Sequence, residues 1–377
     1  MQPAVDACPG MLTLHPARDG DVARLRLPGG YLTAAQWSAI AALACEFGDG
    51  YVDITARGNV QVRGLRGAAA AGLARRAAAA GLLPSGTHDR ARNITASPLA
   101  GLGNRPPLRW LVRALDDAIV ADPVLAALPG RFLFAVDDGT GGAALGRSDV
   151  GLRCGSGEAE LFIGGTSAGL VVAGADAARA AIAAARAAIS AGVGTTCTRI
   201  RDLPGSPAAV AAAIGGTPGA TAPADHGRLS LGVLSLAGRD VVVCAARLGR
   251  LTAAQVTLTG SLLDESEMLR LAAAGRIAIP LAGAPAVAVA SLAAAGLLTS
   301  DDDAMSGVSA CSGMACSRSL ADVRALAGPL PGRPRTHWAG CGRGCGAPGD
   351  ADLVIAAGPG SFLIGGQPAS LPTAGVS

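Results

Sequence analysis

Leu32–Gln36 reads LTAAQ, within GGYLTAAQ from Gly29, and the same five residues return at Leu251–Gln255, within LGRLTAAQ from Leu248. In both places Thr stands three residues before Gln, the spacing of a capping box that opens a helix. WSAIAALACEFG (Trp37–Gly48) follows the first copy as a helix, and GYVDITARGNVQVRGL (Gly50–Leu65) then alternates like two strands around a turn. VTLTGSLLDESEMLRLAAAGRIAIPLAG (Val256–Gly283) follows the second copy in the same order. A second pair repeats further on. LPGR stands at Leu128–Arg131 and at Leu330–Arg333, and each unit closes on IGG, at Ile163–Gly165 and Ile364–Gly366. Two repeated pairs in one order predict a chain built twice. The fold class is α+β, with a small α+β unit followed by a larger mixed α/β unit in each half. The expected units are residues 1–85, 86–214, a Gly/Pro/Ala linker at 215–225, 226–300 and 301–377.

The halves differ in chemistry. Arg57 stands in DITARGNVQVRG, where the second half has Ala274 in RLAAAGRIAIP. Four of the nine cysteines gather in the second half only, in CSGMAC (Cys311, Cys316) and CGRGC (Cys341, Cys345). Structural zinc sites use similar spacings, whereas the glycines around these pairs favour close backbone approach to an iron–sulfur cluster. Spacing leaves both readings open. Cys45 and Cys244 lie on apolar stretches and read as small buried hydrophobes.

Composition excludes several classes. The net charge of +3 gives no nucleic-acid footprint, and the 31 basic residues are all arginine, so no step can use a lysine. The N-terminal stretch has no basic segment followed by an apolar one, and no run of roughly eighteen apolar residues suits a membrane. A cytoplasmic protein without membrane or nucleic-acid partners is expected. In a reducing compartment clustered thiols point to metal or catalysis before disulfides. Arg57, Arg63, Arg92 and Arg131 are all expected at the ends of strands in the first half, with Asn93 beside Arg92. A pocket lined this way suits a polyanion, because guanidinium pairs with carboxylates in a planar fork.

These residues resemble the nitrite/sulfite reductase superfamily. DITARGNVQVRG resembles its arginine strand pair, ARNITASPLAG (Ala91–Gly101) its R-N segment, and LTAAQ after PGG the start of its ferredoxin-like half domains. The resemblance implies a pseudo-twofold cleft in which a tetrapyrrole packs on a [4Fe–4S] cluster. It implies Arg57 and Arg92 as active-site arginines and Cys311, Cys316, Cys341 and Cys345 as cluster ligands. The first pair is C-x4-C here, one residue shorter than in many reductases.

The sulfite branch places two lysines where this chain has Arg131 and Leu133, and Leu133 donates no proton. The cobalamin-pathway branch, the precorrin-3B synthases, is the more similar one through CPG (Cys8–Gly10), PGG (Pro28–Gly30), SPLAG (Ser97–Gly101), FLFAVDDG (Phe132–Gly139) and GCGRGC (Gly340–Cys345). It implies O2-dependent hydroxylation and lactone formation on precorrin-3A, with Arg57, Arg63, Arg92, Asn93 and Arg131 gripping the substrate. Electrons would come from an NAD(P)H reductase or a ferredoxin. O2 chemistry makes a second iron attractive, either mononuclear non-haem or a siroheme-type haem. The alternatives are a siroheme-dependent sulfite or nitrite reductase and an iron–sulfur electron-carrier subunit. Among the four histidines, His88 beside Asp89 could face the cleft, and His337 precedes the last cysteine pair.

Overall fold

A computed structural model of the chain describes residues 6, 8–67, 69–204, 206–222, 228–358 and 360–369. The last linker residues, 223–225, and His226 lie outside the described residues. The first small unit contains β1 (Asp21–Leu25), β2 (Tyr31–Leu32), α1 (Ala34–Phe47), β3 (Tyr51–Ile54), β4 (Val60–Leu65) and α2 (Ala69–Ala79). The larger unit after it runs through β5 (Ile94–Ala96), α3 (Arg109–Ala121), β6 (Phe134–Asp137), β7 (Val150–Cys154), β8 (Glu158–Ile163), β9 (Thr166–Ala173), α4 (Ala177–Ser190) and α5 (Ser206–Ala213). In the second half come β10 (Gly232–Leu236), β11 (Arg239–Ala245), β12 (Arg250–Thr252), α6 (Ala253–Ser261), β13 (Leu269–Ala272), β14 (Arg276–Pro280) and α7 (Pro285–Ala294). The chain ends in β15 (Val308–Ala310), the short α8 (Val323–Leu326), β16 (Thr336–Ala339), β17 (Asp352–Gly358), β18 (Ser361–Ile364) and β19 (Gln367–Ala369). This is the α+β fold expected from the repeats.

Both LTAAQ copies open helices through complete capping boxes, Thr33 with Gln36 and Thr252 with Gln255. The strands just before them do something the sequence did not show: each leaves its own half. β12 pairs antiparallel with β3, Leu251 against Val52, and β2 pairs antiparallel with β13, Leu32 against Leu269. The sheets therefore run β1-β4-β3-β12 and β10-β11-β14-β13-β2, each completed by a strand of the other half. Leu32 and Leu251 are both fully buried, an anchor of roughly 2 kcal/mol each. Between α1 and α6 the buried Trp37 indole N–H donates to Thr259 Oγ1 at 2.8 Å. One core results, holding Trp37, Val52 and Val60 together with Val256, Leu269 and Ile279. The expected units 1–85 and 226–300 are thus two halves of a single packed body.

The larger units repeat one another as sheets. Residues 94–173 form β5-β6-β7-β8-β9 and residues 308–369 form β15-β16-β17-β18-β19, both starting with two parallel pairings and ending with two antiparallel ones. The first has a large core that includes the buried alanine face of α4; the second has a smaller one around Trp338, Val354 and Phe362.

Candidate active site between the halves

The repeat places Cys311 where the first half has Ser97. Each follows the first strand of its sheet, and each donates its backbone N–H to the neighbouring strand, Ser97 to Val136 O (3.1 Å) and Cys311 to Trp338 O (2.9 Å). Ser97 Oγ accepts the N–H of Asp138 at 3.1 Å; Cys311 Sγ accepts the N–H of Gly340 at 3.2 Å. The next difference decides the chemistry. In the first half the Asp137 carboxylate closes its own loop, accepting from Ser97 Oγ, Gly139 N, Gly141 N and Ala143 N at 2.8–3.1 Å. The second half has Ala339 at the matching position and Cys341 and Cys345 in the loop that follows. With no carboxylate at that position, the glycine-rich loop faces sulfur instead.

The four thiols are electrostatic neighbours. Loss of water, then Cys341, Cys311 and Cys316, push the Cys345 thiol above its ordinary range, and Arg343 opposes them. Gly313 N–H also points at Cys311 Sγ, at 3.4 Å. Four thiols on two loops, with Cys311 Sγ accepting two backbone N–H groups, are a donor set that suits a [4Fe–4S] cluster. Among the described residues no three His, Cys, Asp or Glu side chains are drawn together to hold a metal ion. His337 supports this loop from beneath. Its Nδ1 meets Ser309 Oγ at 2.9 Å and its Nε2 meets Cys345 O at 3.1 Å, and burial pulls its pKa down to about 4. The ring is therefore neutral, with Nε2–H donating to the carbonyl. His88 is equally committed elsewhere, to Asp122 O at 2.9 Å and to Thr87 and Ser85.

The thiol loops are bolted to the first half. Arg18 donates from its backbone to Ala315 O (3.0 Å) and from its guanidinium to Ser317 O (3.2 Å). Arg324 donates to Cys311 O (3.4 Å) and Leu248 O (3.1 Å) and stands 3.9 Å from Asp53 Oδ1 on β3. From β3 the chain turns through Thr55–Asn59, the turn expected there, with Thr55 N–H donating to Asn59 O and Thr55 Oγ1 accepting from Arg57 and Asn59. Arg57 sits on this turn rather than at the strand's end. Its guanidinium donates to Arg131 O at 3.2 Å, and burial followed by Arg199 lowers its pKa to about 10.

Around Arg57 stand guanidiniums that the sequence reading overlooked. Arg24 lies on β1 and Arg26 just past its end, two residues on. Arg24 faces the Gln61 amide oxygen at 2.7 Å, and Arg26 donates to Gly130 O at 3.1 Å. Burial, then Arg24, holds the Arg26 pKa down at about 9. Arg199 is bound to the buried Asp149 at 2.6 Å. Cys8, from CPG, lies among Arg24, Arg26 and Arg57. The period-two spacing in ARLRL was the available signal. Without the position of β1 that spacing is the pattern of any strand.

The other expected site residues go elsewhere. Arg63 lies inside β4, not at its end, and is held by both Asp19 oxygens at 3.0 Å. Arg92 is 4% exposed and is clamped by both Asp116 oxygens at 2.7 Å. Asn93 is fully buried; its amide donates to Phe132 O and accepts from Asn59, whose oxygen takes Leu27 N–H. That chain staples the Arg57 turn to the larger unit. Arg131 is exposed, and Leu133 is buried with its N–H on Asp149.

Comparison with known proteins agrees with this architecture. Residues 15–80 match the nitrite/sulfite reductase ferredoxin-like half domain. A ferredoxin–nitrite reductase of Leptolyngbya laminosa is 38% identical over 122 residues, 30% of this chain and 24% of that protein. That of Synechococcus elongatus is 38% identical over 127 residues, 31% of this chain and 25% of that protein. The match thus spans about a quarter of either reductase. A precorrin-3B synthase of Sinorhizobium sp is 28% identical over 408 aligned positions, covering 98% of this chain and 84% of the relative. The structure of the NirA protein of Mycobacterium tuberculosis superposes with a TM-score of 0.72 at 20% identity, over 91% of this chain and 74% of NirA. The chain thus carries a nitrite/sulfite reductase ferredoxin-like half domain, set within a NirA-like fold that is related along its whole length to precorrin-3B synthase.

Proposed function

We propose that the chain is an iron–sulfur oxidoreductase acting on a tetrapyrrole polycarboxylate, a precorrin-3B synthase that hydroxylates precorrin-3A with O2 and forms the lactone. The observation that carries this is the guanidinium group Arg24, Arg26, Arg57 and Arg199, in which Asp149 pairs with Arg199 alone. Such an excess of fixed positive charge suits a ligand with several carboxylates. Arg57 stays cationic at neutral pH, so it binds and orients but is a poor proton donor. The whole-length relationship to a precorrin-3B synthase supports the substrate. The buried Leu133 supports it too, because no side chain there can carry charge or a proton to a small oxyanion.

Cys311, Cys316, Cys341 and Cys345 would hold a [4Fe–4S] cluster, which supplies single electrons when bound. Hydroxylation places one oxygen atom of O2 in the substrate. The other leaves as water with two electrons and two protons, the electrons from an NAD(P)H reductase or ferredoxin. Anaerobically purified, reduced protein incubated with precorrin-3A and O2 is expected to yield precorrin-3B. An intact cluster with no product would overturn the proposal. The second reading, a siroheme-dependent nitrite or sulfite reductase, draws on the match of the half domain to nitrite reductases. Siroheme bands in the visible spectrum of the purified protein would favour it.

A further inference from the structure

Arg26 also lines a cavity of about 210 Å³, walled by the first small unit and α3 and reached from the second half by Met268. Arg26, Tyr31, Arg92, Arg109, Arg113 and Asp116 line it; Arg57 and Arg131 do not. Its charges are unbalanced. Asp116 is used by Arg92, and Arg113 leans outward towards Asp117 at 3.7 Å. Among the described residues Arg109 has no carboxylate partner. Arg26 is 2% exposed, and its Nε has no hydrogen-bond partner; the buried Tyr31 hydroxyl has none within hydrogen-bond distance, its neighbouring guanidinium being Arg270.

A buried polar group without a partner is costly and marks a missing ligand or water. Arg109 is also the first residue of α3, whose N-cap, Leu108, makes no side-chain bond and whose first turn has no acidic residue. The N–H groups there remain available to an anion. The cavity has room for a small anion beside Arg26 and Arg109.

We propose that this cavity is a separate binding site for a small oxyanion, a carboxylate or a phosphate, held by Arg26, Arg109 and the Tyr31 hydroxyl. The site shares Arg26 with the guanidinium group proposed for the tetrapyrrole and is otherwise lined by residues outside that group. Because the first small unit and α3 wall it and Met268 reaches it from the second half, an anion bound there holds these elements together and stabilises the folded chain by mass action.

The test is calorimetric titration of the purified full chain with inorganic phosphate and, separately, succinate, with melting temperature followed in parallel. One saturable site and a rising melting temperature are expected. Arg109→Ala, an exposed position that leaves the core intact, should weaken binding by about tenfold or more through loss of a charged hydrogen bond. Tyr31→Phe should weaken it less, and Arg57→Ala should leave it unchanged. Binding of phosphate alone assigns the site to phosphate esters, and of succinate alone to dicarboxylates. No saturable binding of either probe would overturn the proposal. So would binding lost in Arg57→Ala but kept in Arg109→Ala, which assigns the anion to the neighbouring cleft.

Discussion

Single side chains separate the two halves chemically. Asp137 fills the loop that in the second half is left to sulfur by Ala339. Replacing any one of Cys311, Cys316, Cys341 or Cys345 by serine is expected to abolish the cluster's visible absorbance and EPR signal. Cys45→Ser, at an exposed helix position, should retain both. The arginines divide in the same way. Arg57 gives up one hydrogen bond to a carbonyl, so Arg57→Ala should weaken tetrapyrrole binding by about tenfold or more while barely moving the denaturation midpoint. Arg63→Ala should behave oppositely, with a loss of ~2–4 kcal/mol in urea denaturation. It strands Asp19, which is 26% exposed and so pays less than a fully buried partner would. From sequence the two arginines looked alike. Only the position of Asp19, more than forty residues away, tells them apart.

At the level of elements, the exchange of β2 and β12 depends on close backbone approach. Gly30 has φ +73°, and a Cβ there would lie 2.2 Å from Leu271 O on β13. Gly30→Ala should therefore disrupt the β2–β13 pairing and cost at least ~2 kcal/mol, read as a lower denaturation midpoint. The helices α1 and α6 are joined by the Trp37–Thr259 bond. Thr259→Val keeps the shape but leaves the indole N–H buried and unpaired, at an expected cost of ~1–3 kcal/mol. The capping boxes and the hairpin around Arg57 were legible in the sequence, because each is made by residues three or four apart. The destination of β2 and β12 was not, because an extended pair of residues carries no mark of its partner strand.

For the whole molecule, the shared core makes the small units interdependent. Residues 1–85 produced alone lack β12 and the second-half side chains of the core. That fragment should give a collapsed amide spectrum by NMR, while the full chain gives a dispersed one. The same sharing ties the thiol loops to the sheet from which the Arg57 turn leaves. Arg324 reaches from beside Cys311 to Leu248 in one half and towards Asp53 in the other, so the thiols and the arginines are positioned by one sheet.

Local patterns carried the duplication and the α+β class, and they singled out the four thiols and Arg57 as candidates, because repeats, capping spacings and cysteine pairs are short-range signals written within a few residues. Tertiary structure alone decided which arginines are paired and which are left without a carboxylate. Arg63, Arg92 and Asn93 are consumed by partners distant in sequence, whereas Arg24, Arg26 and Arg199 converge on Arg57. A guanidinium's role depends on whether a carboxylate lies within reach, and that distance exists only once the first half has folded.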